Sequence, residues 1–246
     1  MGFFRSDPHQ VAVLSERYLD TMLGDLGGLS LTLLQAPILA VGIGGVFQNL
    51  SRDSLTLYFV LCLSAFFLGA INASREIVKE RALFLREKMY NLSVPAYLRS
   101  KLRVQLILVV LASASLGLVT SAFVPLKINV LAVCGVLALT CFAGTATGLL
   151  ISSWVSTNDR AVGLVPLVVI PQILFSEVVV GEGKLANWAG WVEKLMPVRW
   201  GYRMLKELRK AETDWGSILG ALVVFGIIAF LCYTVSLFKL RRARYT

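Results

Sequence analysis

The sequence predicts an all-α membrane protein of six transmembrane helices, and three observations carry that reading. Six apolar stretches, at 29–48, 55–72, 104–124, 128–154, 161–176 and 218–238, contain no Asp, Glu, Lys or Arg. Each is close to the ~20 residues that cross a hydrocarbon core ~30 Å thick. The chain is 57% hydrophobic, with a mean hydropathy of +0.73, and its Leu, Val, Ile and Ala run continuously. Barrel strands alternate instead, so helices are the way these backbones satisfy their hydrogen bonds in lipid. Finally, the basic residues are unevenly shared. Eight of the 24 Lys and Arg lie in 75–103 and four more in 239–244, whereas 49–54 and 125–127 hold one each. Short loops rich in Lys and Arg face the cytoplasm, which puts both termini inside and fits an even number of spans. The expected place is a multi-pass integral protein of the plasma (inner) membrane.

Residues 1–27 are punctuated by Asp7, Glu16, Asp20 and Asp25 and do not read as a cleavable signal. Pro8 is placed to start a helix, and Val11, Leu14, Tyr18, Met22 and Leu26 recur at helical spacing. The segment 10–26 is therefore an N-terminal amphipathic interfacial helix, too charged to span, with Gly27 and Gly28 turning the chain into the membrane. The first span holds Pro37 and glycines at 42, 44 and 45. These, like the small-residue runs 112–117 and 143–148, read as seams where helices approach closely.

After the second span, charged residues at 75, 76, 79, 80, 81, 86, 87 and 88 surround Ile77, Leu83, Phe84, Leu85 and Met89. Asn91 can end this helix, and Ser93 with Pro95 can start the next. Such a knuckle can dock into the groove of a soluble partner with Leu83 and Phe84 as anchors. It also reads as a solvated interfacial helix. The fifth stretch is interrupted by Pro166 and Pro171, so a kinked span is expected, followed by a Gly181, Gly183 turn. Trp188, Trp191, Trp200 and Tyr202 then give 177–214 the aromatic character of a surface-lying or partly re-entrant segment. Its seven basic and six acidic residues carry no orientation signal. No repeat or low-complexity linker divides residues 1–246, which form a single domain.

The chemistry that is missing narrows the function. Ion-coupled carriers hold ionisable groups at membrane depth, and the deepest polar groups here are Asn72, Gln105 and Gln172. Hydrolysis needs a nucleophile with a base or a metal cluster. The sequence offers one histidine, His9, and four cysteines, 62, 134, 141 and 232, all inside apolar stretches. No catalytic residue, metal site or disulfide is expected, and the cytoplasmic basic excess accounts for the net charge of +9 without a nucleic-acid partner. The pattern G-x-x-x-x-G-K-[S/T] is also missing. If ATP and Mg drive this chain, a partner ATPase must bind them. Asn49-Leu50-Ser51 is a glycosylation acceptor only in a eukaryotic secretory route.

The string KERALFLREKMYNLSVPAYLRSKL at 79–102 resembles the cytoplasmic coupling segment between the second and third spans of type 2 ABC exporter permeases, especially the G subfamily. PQILFSE at 171–177 is similar to the end of that subfamily's fifth span, with Glu177 at the place of its usual glycine. WAGW at 188–191 and PVRWGYRML at 197–205 resemble its external re-entrant segment and the approach to the sixth span. The resemblance implies a permease domain without its ATPase domain, one that forms a homodimer or a heterodimer with a similar permease. Such a domain binds ABC ATPase subunits through the 10–26 helix and the 75–103 coupling segment and exports a lipidic or amphipathic substrate by alternating access. The residues it implicates in ATPase coupling are Lys79, Glu80, Arg81, Phe84, Arg86 and Glu87. Those on its substrate path are Phe66, Phe67 and Ala70 of the second span and Val168, Leu174 and Phe175 of the fifth. Truncating Phe84 and Arg81 is expected to weaken coupling without unfolding the bundle. The alternative is a non-transporting membrane scaffold whose 75–101 helix recruits a cytoplasmic partner.

Overall fold

The computed structural model describes residues 7–49, 54–181, 187–210 and 214–243. Leu50 and Ser51 of the acceptor triplet, Arg52, Gly183 and Arg244 lie outside the described residues. Helix α1 (Pro8–Gly24) begins as its sequence indicates: Pro8 occupies the first turn and the Asp7 carboxylate accepts from the His9 N–H at 3.0 Å. Its end differs from expectation. The chain breaks at Asp25 rather than at Gly27 and Gly28, because the Asp25 carboxylate accepts from the Gly28 N–H at 2.9 Å and starts α2 (Leu26–Phe47). A Cβ on Gly28 would collide with that carboxylate, so the glycine makes room for a cap, not for a turn.

Next come α3 (Leu55–Ser74), a single 3₁₀ turn (Val78–Glu80), α4 (Arg81–Met89), α5 (Val94–Phe123) and α6 (Val130–Trp154). They are followed by α7 (Asn158–Leu174), α8 (Glu177–Val180), α9 (Asn187–Lys194), α10 (Pro197–Leu208) and α11 (Trp215–Arg242), and there is no strand among the described residues. The knuckle after α3 closes as expected. Asn91 takes the left-handed conformation at φ 72°, just past the end of α4, and Ser93 precedes α5 with Pro95 in its first turn. Five helices are long and apolar enough to cross a membrane: α2, α3 with its continuation to Met89, α5, α6 and α11. The remaining apolar stretch folds as α7, whose 17 residues include Pro166 and Pro171. At 1.5 Å per residue it extends only about 25 Å.

Helices α3 and α6 form the centre. Half or more of their apolar windows is buried, against 22% for α2 and 17% for α11. Glycine sets their contact distance: a Cβ on Gly69 would strike the Cys141 carbonyl, one on Gly144 the Phe66 carbonyl, and one on Gly148 the Ala70 carbonyl. Backbone thus lies directly on backbone, the arrangement small residues permit between apolar helices. The expected seam at 143–148 is present, and Gly117 of the 112–117 run packs on the Cys134 sulfur. All four cysteines are free thiols.

Helix α10 lies against α3, α6, α7 and α11 and buries Val198, Gly201, Met204 and Leu205. Gly201 meets the Thr140 hydroxyl and Cys62, and the Tyr202 ring meets Phe59 edge-on at 6.1 Å. Both partners on α3 fall in its first half, so α10 sits at the end of the bundle opposite the charged knuckle.

Candidate functional site

At the knuckle end, three segments distant in sequence bring their polar groups together in the interior. The chain leaving α3 first folds back onto α6: the Ile77 and Val78 N–H groups donate to the Ser152 hydroxyl at 2.9 and 3.1 Å. This turn directs Glu76 and Glu80 at α5, where Lys101 is 1% exposed. The Lys101 ammonium lies 2.7 Å from Glu80 Oε2 and 3.9 Å from Glu76 Oε2, and 3.6 Å above the Tyr18 ring of α1. Lys79 Nζ donates to Glu76 Oε1 at 2.6 Å. Two carboxylates therefore face two ammonium groups, which is how charge is tolerated at this depth. The Tyr18 hydroxyl donates to Glu76 Oε2 and accepts from Gln105 Nε2 at 3.2 Å. Burial, with Glu76 alongside, holds the Tyr18 phenol well above its ordinary pKa, so it stays a donor.

Helix α4 is clamped around this cluster. Arg17 of α1 grips Glu87 through both nitrogens, Nη1 to Oε1 at 2.5 Å and Nη2 to Oε2 at 3.2 Å. Hydrogen bonding to Glu87 raises the Arg17 pKa further. Arg81 Nη1 donates to the Val155 carbonyl at the end of α6 at 2.7 Å. Lys88 Nζ donates to the Leu240, Arg241 and Ala243 carbonyls at 2.9, 2.7 and 2.8 Å, so one ammonium satisfies orphan carbonyls at the end of α11 and opposes its dipole. Gln10 Oε1 accepts from the Ser93 N–H at 3.2 Å and joins α1 to the start of α5.

The six residues of the coupling set lie in different surroundings. Phe84 is 1% exposed and stacks, tilted, on Tyr97 with ring centroids 4.7 Å apart. It is an interior anchor of α4, not a surface knob, because Tyr97 supplies the apolar cover that a partner was expected to bring. Truncating it would remove packing from within the bundle. Glu80, Arg81 and Glu87 are engaged with Lys101, the Val155 carbonyl and Arg17, and Lys79 with Glu76. Arg86 and Lys79 are the members of the set left exposed, and beside Arg86 the residues Met89 and Tyr90 are 68% and 83% exposed. Arg86 and Tyr90 border a groove of about 380 Å³ between α1 and the α4–α5 turn, lined also by Gln10, Val13, Arg17 and Asn91.

The six path residues do not share one surface. Phe66 and Ala70 lie inside the α3–α6 seam, covered by α6 of the same chain, and cannot line an opening while the seam is closed. Phe67 and Val168 are half-buried at the edge of the main core. Leu174 points outward at 60% exposure, and Phe175 meets Trp188 edge-on at 5.7 Å.

Sequence reasoning missed Tyr18, Glu76, Lys101 and Gln105 as a unit. One signal was available: Tyr97, Lys101 and Gln105 are spaced four apart and so fall on one face of α5. At the α10 end it missed Gln172 of α7, whose Oε1 accepts from the Val198 N–H at 3.1 Å and caps α10. Glu193, also buried, accepts from the Glu177 N–H and pairs with Arg199, both at 3.2 Å. Burial raises its carboxyl above the ordinary range. These groups line a mixed-charge cavity of about 340 Å³.

Comparison with known proteins bears on the whole arrangement. The ABC-2 type transporter family model matches residues 9–208, from the start of α1 to the end of α10. The ABC transporter ATP-binding/permease protein Rv1747 of Mycobacterium tuberculosis is 31% identical over 154 residues. That alignment covers 58% of this chain and 17% of the length of that protein.

Proposed function

This chain belongs to the ABC-2 type transporter family, and on that premise we propose that it is the permease subunit of an ATP-driven exporter. In this reading α7 completes a six-span bundle, both termini and the α4 knuckle are cytoplasmic, and α8–α10 form an external re-entrant segment. Two such permeases pair, and ABC ATPase subunits dock in the groove between α1 and the α4–α5 turn. The relative's printed name joins an ATP-binding and a permease activity in one protein, which supports the pairing. A lipidic or amphipathic substrate fits a bundle whose outward faces are apolar and whose charges are gathered at its ends.

The observation that carries the reading is the clamping of α4. A nine-residue helix held by α1, α5, α6 and α11 at once cannot be displaced without moving those helices. Force applied by a partner in the groove is therefore passed on as rigid-body motion. The Arg17–Glu87 pair stands at the groove, the Tyr18–Glu76–Lys101 cluster behind it, and the α3–α6 seam behind that.

The test uses exposed groove residues, so that folding is not the readout. Arg86→Glu with Tyr90→Ala should reduce co-purification of the ATPase and its substrate-stimulated turnover by about tenfold or more, as loss of an aromatic and a cationic anchor does, with the permease's melting temperature unchanged. Undiminished ATPase binding and stimulation would remove the groove from the mechanism.

A further inference from the structure

A second cavity, of about 320 Å³, opens at the corner where α1 turns into α2 and is bordered by Glu76. Its polar walls include Asp25, Asn72, Arg75 and Lys79. Lys79 is paired with Glu76, but the Arg75 guanidinium is exposed and makes no hydrogen bond or ion pair among the described residues. The Asp25 carboxylate spends Oδ1 on the Gly28 N–H and has Oδ2 free. The Asn72 Oδ1 is buried and has no hydrogen-bond partner. An unanswered cation, an unanswered anion and a buried amide oxygen thus border one space. Left empty of a ligand, the amide oxygen would carry the desolvation cost of an unmade bond.

The cavity continues toward the apolar band. A smaller space of about 30 Å³ shares Thr32, Asn72 and Leu108 with it and is otherwise walled by Leu33, Leu111 and Ala112. Leu33 and Leu111 are 40% and 49% exposed on the lateral face of α2 and α5. Polar space therefore leads into an apolar cleft open to the side of the bundle, with Asn72 at the junction.

We propose that this pair of cavities binds one phospholipid whose headgroup carries both a phosphodiester and a primary ammonium. Arg75 takes the phosphate, Asp25 Oδ2 accepts from the ammonium, Asn72 faces the glycerol region, and an acyl chain lies in the α2–α5 cleft. With Lys79 and Glu76 paired to each other, the two unpaired charges in the walls, Arg75 and Asp25, match the two charges of a zwitterion. A purely anionic headgroup would leave Asp25 opposed by like charge, and a quaternary ammonium has no N–H to donate to it. The assignment stands whether or not the chain transports, since it uses neither the groove nor the α3–α6 seam.

The experiment is native mass spectrometry of the purified full chain in detergent with equimolar phosphatidylethanolamine, phosphatidylglycerol and phosphatidylcholine. One phosphatidylethanolamine should be retained per chain, in about tenfold preference to the other two, the size expected for one charge-assisted bond. Asp25→Asn keeps an effective helix cap and should abolish the preference over phosphatidylcholine. Arg75→Gln should weaken all three lipids and Arg75→Lys should restore them, while Ala112→Phe should fill the cleft and release the lipid with the headgroup walls intact. Equal retention of the three lipids, wild-type selectivity in Asp25→Asn, or wild-type retention in Arg75→Gln overturns the proposal. Displacement of the lipid by soluble phosphoethanolamine at millimolar concentration overturns it as well, by showing that the headgroup alone fills the site.

Discussion

The two ends of α3 hold their neighbouring short helices by different physics. At one end α10 buries a face of its own, with Val198 and Leu205 fully covered, and is seated by packing on α3, α6 and α11. Its polar bonds finish the ends of helices: Gln172 caps its first turn, and Trp200 Nε1 donates to the Lys194 carbonyl at 2.8 Å. At the other end α4 buries one residue completely, Phe84. It is positioned instead by long charged side chains reaching it from α1 or leaving it for α6 and α11. The helix with an apolar face is part of the core. The helix without one is a handle tied on at several points, and ties of this kind respond to ionic conditions as packing does not.

Three experiments test that contrast. The largest effect belongs to Lys101→Ala, which strips Glu80 of its ammonium partner and leaves it beside Glu76 in the interior. Loss of one partner from a buried ion cluster costs about 3–5 kcal/mol, so the melting temperature in detergent should fall by many degrees. Neutralising the same cluster with Glu76→Gln and Glu80→Gln on top of Lys101→Met should recover much of the loss. Second, Gln172→Ala leaves the Val198 N–H buried without an acceptor and should cost about 1–3 kcal/mol. It should be read out as faster amide exchange confined to the first turn of α10, and exchange spread evenly over α4 as well would break the distinction between the ends. Smallest is the Arg17–Glu87 pair, whose side chains are 41% and 25% exposed. A double-mutant cycle to Ala should give a coupling of roughly 0.2–1 kcal/mol at low salt that shrinks toward zero at 1 M. A coupling that ignores salt would place this pair with the interior cluster.

Local signals read from the sequence mark what one helix decides alone. Pro8, Asn91, Ser93 and Pro95 locate helix ends because their backbone preferences act within a turn or two. The glycine run at 143–148 marks a seam because small side chains have little other use in an apolar helix. What escaped was decided between helices. Phe84 reads as a free anchor until Tyr97, on a separate helix, is found beneath it. Glu76 reads as one charge of a solvated helix because nothing in its spacing discloses Tyr18, 58 residues earlier. The end of α1 was misjudged for a related reason: Gly27 and Gly28 suggest a turn, but Asp25 uses the space at Gly28 to begin a helix. The 161–176 stretch was recognised as apolar and proline-broken, and the structure adds that it is too short to match the other five helices.

The absence of any cushion between α3 and α6 has one further consequence. Where carbonyl oxygens of one helix rest against the glycines of another, there is no rotamer to swing aside and absorb a shear, so the two behave mechanically as a single beam. Ser152 and Val155 fasten the knuckle to one tip of that beam, and Thr140 and Cys62 receive α10 nearer the other. A tilt imposed at the first tip must then emerge at the second in the opposite sense, like a see-saw, and a bulky residue wedged at Gly69 or Gly144 would split the beam and leave each tip to move on its own.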